Sequence, residues 1–306
     1  MKKIIISIIT AVTLSICGTI SILAESANWD KPVLVYGGGL NDSQKEQVNS
    51  LFKITNLESV DRLVVMGQDA DKYLGRQDID TSSLISSVLV TKTGEGSGVK
   101  VSILTPENIT TITETQYANA AITAGAADVN IEVVSPVKVT GESALAGVYL
   151  ALENNGEQID PQSTIVAQQE LETVNQIAEE QSTNEEFDST SFDLVIAQIK
   201  EELAKYKEEH GEIASYEDIV AIIQSVLNKY KMEDVLTDEQ ISQIAQFAES
   251  YQNSPAIDSK EVLEQLNSFT DQTMKQLSGQ IQNLQESGFF DRIFKFFSDL
   301  FSSITG

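Results

Sequence analysis

The apolar residues of this 306-residue chain change period once, and that change limits the folds open to it. Up to about residue 157, apolar residues alternate in short runs broken by Gly, Pro and polar clusters, the mark of half-buried strands. Beyond about Gln158 they recur at three- and four-residue intervals over long stretches, which is helical spacing. The pivot is QYANAAITAGAADVNIEVVSPVKVTGESALAGVYLALE, Gln116 to Glu153. It reads as a small-residue helix, a strand, a Pro-marked bend and a second Gly/Ala-rich helix. The implied fold is an α/β (or α+β) domain with a mixed sheet over residues 25–157, followed by an all-α region over 158–288.

The strands read as Val33–Tyr36, Asp61–Met66, Ser86–Lys92, Gly98–Leu104 and a segment carrying Val129, Ile131 and Val133. The third and fourth, joined by TGEGS, are expected to pair as a hairpin. Asn41 with Gln44 forms a capping box for the helix after the first strand. Gly37-Gly38-Gly39 precedes it, but without Gly-x-Gly-x-x-Gly spacing or a Gly-Lys-Ser/Thr ending it reads as a tight turn rather than a phosphate cradle. A helix over Thr113–Thr123 stops at Gly125, with Ala118, Ala120 and Ala121 small enough for close approach to the sheet. After residue 158 come helices over Ser163–Gln181, from Phe192 to His210, around Tyr216–Tyr230, from Leu236, and beyond Pro255. The polar tract STNEEFDST between the first two reads as a hinge or linker.

At the N-terminus, Lys2 and Lys3 precede the apolar run Ile4–Leu23, and Ala24 offers a small residue for cleavage. Residues 1–24 therefore read as a secretory signal peptide, with an uncleaved anchor as the alternative reading. Cys17 lies inside this run, so the cleaved chain has no cysteine and no thiol or disulfide chemistry. It keeps 18 basic against 46 acidic residues, a net charge near −28. Such a field repels nucleic acid and anionic membrane surfaces. The expected location is secreted, on the extracellular face of the cell envelope.

Catalytic signals are sparse, and no catalytic residue is assigned. His210 is the one histidine, beside Gly211 at a helix end where a cation suits the dipole. It cannot build a zinc site alone, and no Gly-x-Ser-x-Gly elbow exists for a triad. Ser50-Leu51-Phe52-Lys53, Ser182-Thr183-Asn184 and Lys92-Thr93-Gly94 match penicillin-recognising motifs in the wrong order. Asp69, Asp71 and Asp80 fall at calcium-loop spacing, but Tyr73 and Leu74 stand where an oxygen ligand and a glycine are needed, so a solvated acidic loop is expected. No metal and no cofactor are expected. The small-ligand candidates are Ser135, Thr140, Gly141 and Ser143, at a bend between a strand and a helix whose free amides can hold an anion.

The last segment, residues 289–306, places its apolar residues on an arc of about 160° if helical. Phe289, Phe290, Ile293, Phe294, Phe297, Leu300, Phe301 and Ile304 belong to that face. It has to be buried in the protein's own helices, a membrane interface or a partner groove.

YANAAITAGAADVNIEVVSPVKVTGESALAGVY, with KTGEGSGVKVSILTPENIT and LNDSQKEQVNSLF upstream, resembles the YpuA-like secreted proteins of Gram-positive bacteria, a domain-of-unknown-function family. The resemblance runs from about Tyr36 onward, strongest from Gly94 to Leu152. It implies an exported, envelope-associated protein and supplies no catalytic residues. The reading is a non-enzymatic interaction protein whose partner is an envelope protein or a membrane interface. The alternatives are a secreted carboxylate-dependent hydrolase and a calcium-stabilised extracellular module.

Overall fold

Alternating apolar residues do build a sheet. A computed structural model describes residues 29–281. The elements run β1 (Val33–Gly37), α1 (Asp42–Leu51), β2 (Asp61–Val65), α2 (Gly67–Leu74), β3 (Ser87–Lys92), β4 (Lys100–Ile103), α3 (Glu114–Thr123), β5 (Val129–Val134) and α4 (Glu142–Asn154). From there on, among the described residues, only helices follow: α5 (Pro161–Glu180), α6 (Ser189–His210), α7 (Tyr216–Lys229), α8 (Asp238–Gln252) and α9 (Lys260–Ile281). A mixed sheet followed by an all-helical region is the expected architecture. Among the described residues no helix is long and apolar enough to cross a membrane.

The sheet order is β2-β1-β3-β5-β4. β1 pairs parallel with β2 and antiparallel with β3, β3 is antiparallel to β5, and β5 is parallel to β4. The expected hairpin between β3 and β4 does not form. β5 lies between them, so that Ile131 faces Val90 on one side and Val101 on the other. A fully buried Val129-x-Ile131-x-Val133 stripe gains more from a central position than β4, whose Lys100 is exposed, would gain from one.

The two faces of the sheet are covered differently. Val33, Val35, Val88, Val90, Ile131 and Val133 face α4 and form the main core. Full burial of each such side chain contributes about 1.5–3 kcal/mol. On the opposite face, α1 brings Val48 onto Leu34, Tyr36, Leu89 and Val134. Asn130, Glu132 and Ser102 continue that face over β5 and β4 and are only half-buried. α3 lies against β4 and against α5, α6 and α9, so its alanines serve helix packing more than approach to the sheet face.

The helical region has its own core, in which Phe192, Val195, Ile196, Ile199 and Leu203 of α6 meet Ile223 and Val226 of α7 and Ile244 and Phe247 of α8. α6 also sends Leu194 and Ala197 into the sheet core, joined there by Leu171 of α5 and Leu266 and Phe269 of α9. Packing therefore runs continuously from sheet to helices. The 182–190 tract is a hydrogen-bonded turn, not an open hinge. Asn184 N donates to Gln181 O at 2.8 Å, Phe187 packs on Phe192, and Asp188 caps α6.

The acidic stretch 67–80 is another departure, because GQDADKYL forms α2 with Ala70, Tyr73 and Leu74 buried. Its acids serve backbone amides. Asp69 accepts from Met66 N at 2.8 Å, Asp71 from Ile79 N at 2.9 Å and Asp80 from Ser82 N at 2.9 Å. The segment from Ile79 to Ser86 then lies directly on the ends of β1 and β2, with Gly39 N donating to Leu84 O at 2.8 Å and Gly67 N to Thr81 Oγ1 at 2.9 Å. A Cβ on Gly67 would overlap the Ile79 carbonyl oxygen, and one on Gly39 the Ser82 carbonyl oxygen. Backbone on both sides leaves little room to adjust. Gly67→Ala is expected to cost about 1–3 kcal/mol by forced backbone displacement, measured as a lower urea midpoint with unchanged slope.

Candidate functional site

The strand–bend–helix unit from β5 to α4 forms as expected, but the structure divides the candidate residues between two places. Ser135 is fully buried at the end of β5. Its N–H donates to Thr105 Oγ1 at 2.9 Å, its carbonyl accepts from Asn108 Nδ2 at 2.8 Å, and its hydroxyl donates to Val137 O at 2.6 Å. Every polar group of Ser135 is engaged in holding the bend. Beside it, Pro136, Thr105 and Asn108 form one wall of a groove of about 510 Å³, and Ser43, Gln47 and Leu51 of α1 form the other.

Thr140, Gly141 and Ser143 instead line a separate cavity of about 300 Å³ at the head of α4, together with Arg76, Asp80, Ser83 and Glu142. Gly141 caps the helix at φ +113°, where a Cβ would also strike Tyr117 and Ile109. Its carbonyl accepts from Tyr117 OH at 2.6 Å and from Ser86 Oγ at 3.1 Å. Burial pushes the Tyr117 phenol pKa well up, so it acts as a donor throughout the ordinary pH range.

The amides at the head of α4 are partly occupied by the protein itself. Ala144 N donates to Ser86 Oγ at 3.0 Å, and Ser86 Oγ lies 2.5 Å from Ser143 Oγ. With no side-chain cap from Gly141, Ser86 caps the helix from outside. The charged wall is likewise paired within itself. Arg76 is bidentate to Glu142, at 2.8 and 3.1 Å, and reaches Glu172 at 2.6 Å. The Glu142 hydrogen bonds, and after them those to Glu172, push the guanidinium pKa up against burial. What faces the cavity is a partly exposed Arg–Glu cluster, able to recognise charge and shape. It contains no nucleophile held against a base.

His210 sits exposed at the end of α6, stacked on Tyr206 at 4.1 Å between ring centroids. Its Nδ1 lies 2.9 Å from Tyr206 O, an end-of-helix arrangement. The aromatic face formed by Phe289, Phe290, Ile293, Phe294, Phe297, Leu300, Phe301 and Ile304 lies outside the described residues, as does the 1–24 leader.

One constellation escaped the sequence reading. Between α3, α5 and α6, Lys200, Glu170 and Asp193 are all at least 98% buried. Lys200 Nζ donates to Glu170 Oε1, Asn119 Oδ1 and Thr123 Oγ1, each at 2.8 Å. Thr123 Oγ1 donates onward to Glu170 Oε2 at 2.6 Å, and Asn119 Nδ2 ties α3 to the Asp193 carbonyl at 3.1 Å. Burial pulls the Lys200 amine pKa down, opposed by the charge and hydrogen bond of Glu170. A visible signal did exist. Lys200 falls inside the apolar arc of α6, beside Ile199 and between Ile196 and Leu203, where a lysine needs a partner.

Comparison with known proteins now places the chain. It belongs to the DUF1002 family, described as proteins of unknown function, whose family model matches residues 36–269. It is similar to the "Uncharacterized protein YpuA" of Bacillus subtilis (strain 168), 28% identical over 308 residues that cover 99% of this chain and 98% of that protein. No solved structure matches the chain. The family seen in the motifs around Gly94 to Leu152 is therefore correct.

Three substitutions probe these arrangements. Ser86→Ala removes the external cap of α4 and is expected to cost about 1–2 kcal/mol in chemical denaturation. Lys200→Met strands Glu170 in the interior and is expected to cost about 3–5 kcal/mol. Adding Glu170→Leu to the Lys200 variant should recover part of that loss, and a double-mutant cycle measures how much.

Proposed function

We propose that this member of the DUF1002 family is exported, associates with the cell envelope and works by binding rather than by catalysis. The basic start, the apolar run to Leu23 and Ala24 support export. The observation that carries the binding reading is the placement of the perturbed carboxylates. Burial pushes the pKa values of Asp193 and Glu201 up, as a general acid would need, yet both lie in seams between helices. The cavity at the head of α4 is lined by Asp80 and Glu142, and the groove beside α1 by Glu46 and Glu107. Asp80 is held below the usual carboxylate range by hydrogen bonds from Ser82. A hydrolase acting through two carboxylates needs a raised one beside a lowered one in a shared cleft. The positions of Asp193 and Glu201 favour recognition over that chemistry.

The apolar face of residues 289–306 supplies the docking element, with a membrane interface or an envelope protein as its partner. Its charged residues, Asp291, Arg292, Lys295 and Asp299, balance to zero, so apolar contact rather than attraction to anionic lipid drives docking. The test is to delete residues 289–306 and follow cell fractionation and cross-linked partners. The truncated chain is expected in the medium, without cross-linked envelope partners and with its melting temperature unchanged. Retention in the envelope would overturn this reading, and retention together with a large drop in melting temperature would show that the segment belongs to the protein's own core.

A further inference from the structure

Asp193 and Lys200 stand seven residues apart on one face of α6, yet they do not form a pair. An ammonium has three protons to donate, and those of Lys200 are taken by Glu170, Asn119 and Thr123. Asp193 is 1% exposed. Its Oδ1 has no hydrogen-bond partner, and its Oδ2 has only Thr113 Oγ1, at 3.5 Å. The seam thus holds one cation, already matched by Glu170, and a second carboxyl with nothing to neutralise it. Charged, that carboxyl would be a buried anion beside another anion, which costs several kcal/mol. Neutral, it is tolerated.

The location gives this consequence. Leu194 packs in the sheet core, while Phe192, Val195 and Ile196 pack in the helical core. The Asp193 carbonyl is itself the acceptor that joins α6 to Asn119 of α3.

We propose that Asp193 makes the α3–α6 seam a pH-sensitive joint between the sheet and the helical region, closed while its carboxyl carries a proton and loosened when that proton leaves.

Among the described residues, the surroundings supply no cation beyond Lys200. Glu170 faces the group from α5 and Asp188 from the start of α6, both anionic. From α3 come Thr113 and Asn119, with Glu114 exposed and bonded to Ile103 N. Farther along α6, Glu201 is engaged by Thr270 of α9 and by Gln198, and Gln198 also receives Lys229 of α7. Lys260, Glu261, Glu264, Asp271 and Lys275 of α9, and Asp238, Glu239 and Glu249 of α8, are exposed. Lys207 at the far end of α6 pairs with Asp258. Burial, then Glu170 and Asp188, hold the Asp193 pKa well above the usual carboxylate range, against smaller opposing effects of Thr113 and Lys200.

An acid whose pKa rises on folding keeps a proton that the unfolded chain has released. Its contribution is greatest below the unfolded value of about 4 and declines as pH rises towards the folded value. Lys200, whose pKa is lowered, titrates in the opposite sense on the alkaline side, so removing the Asp193 charge alone separates the two.

The test is hydrogen exchange of the α3 and α6 amides in the intact protein from pH 5 to pH 9, corrected for intrinsic exchange. In the native protein the opening constant is expected to rise by up to about tenfold per pH unit, the slope of one-proton linkage. In Asp193→Asn the rise should vanish while amides of β3 and β5 stay unaffected. A flat native profile, or the same slope in the Asn variant, overturns the proposal. If the variant does not fold, the carboxyl carbon resonance of Asp193 in the labelled native protein decides instead. A midpoint far above the ordinary aspartate value supports the joint, and an ordinary midpoint overturns it.

Discussion

The Lys200 ammonium is the contact on which the arrangement of layers depends. One buried cation gathers an amide and a hydroxyl from α3 and a carboxylate from α5, while its own helix spans two hydrophobic cores. Apolar packing alone would accept several rotations of α6 against α3 and α5, because Leu, Ile and Val contacts are not directional. Three donors on one nitrogen accept far fewer. A buried ion pair is weak evidence for net stability, since hydrophobic residues of equal volume often do as well. Its value here is orientation, by fixing which face of α6 meets the sheet layer.

The same economy of polar groups governs the mouth of the sheet. In open α/β sheets the crevice beyond the strand ends is the usual ligand site. Here the backbone from Ile79 to Ser86 occupies that crevice, and its carbonyls and hydroxyls take amides of Gly39, Gly67 and Ala144. The glycines there admit the protein's own chain, and what remains open is the smaller cavity between Arg76, Asp80 and the head of α4.

Local features were legible in the sequence and relations across the chain were not. The capping box at Asn41 forms from neighbours three residues apart, and it is present. The alternation in β5 and the helical stripes of α6 to α8 were visible for the same reason. α2 was missed because its stripe of Ala70, Tyr73 and Leu74 is one turn long amid acids, and only contact with the rest of the molecule makes it a helix. At the candidate site, Thr140, Gly141 and Ser143 line one cavity, apart from Ser135 with which they share the bend in sequence. Their partners could not be named, because Ser86 comes from 57 residues before Ser143 and Arg76 from 66 before Glu142. The pairing of β3 with β5 rather than β4, and the Lys200 seam, are decisions between distant segments of the kind that periodicity does not encode.

The insertion of β5 between β3 and β4 constrains the order in which the chain can assemble. When residues up to Ile103 have left the ribosome, β4 has no neighbour to pair with, and β3 can pair only with β1. Both wait for Val129–Val134, which arrives only after α3. Non-local pairing of this kind slows folding, since loop closure precedes the contacts that compensate for it. The sheet of the N-terminal half is therefore closed by a strand that comes after α3, so its earlier strands cannot be completed from their own neighbours in sequence.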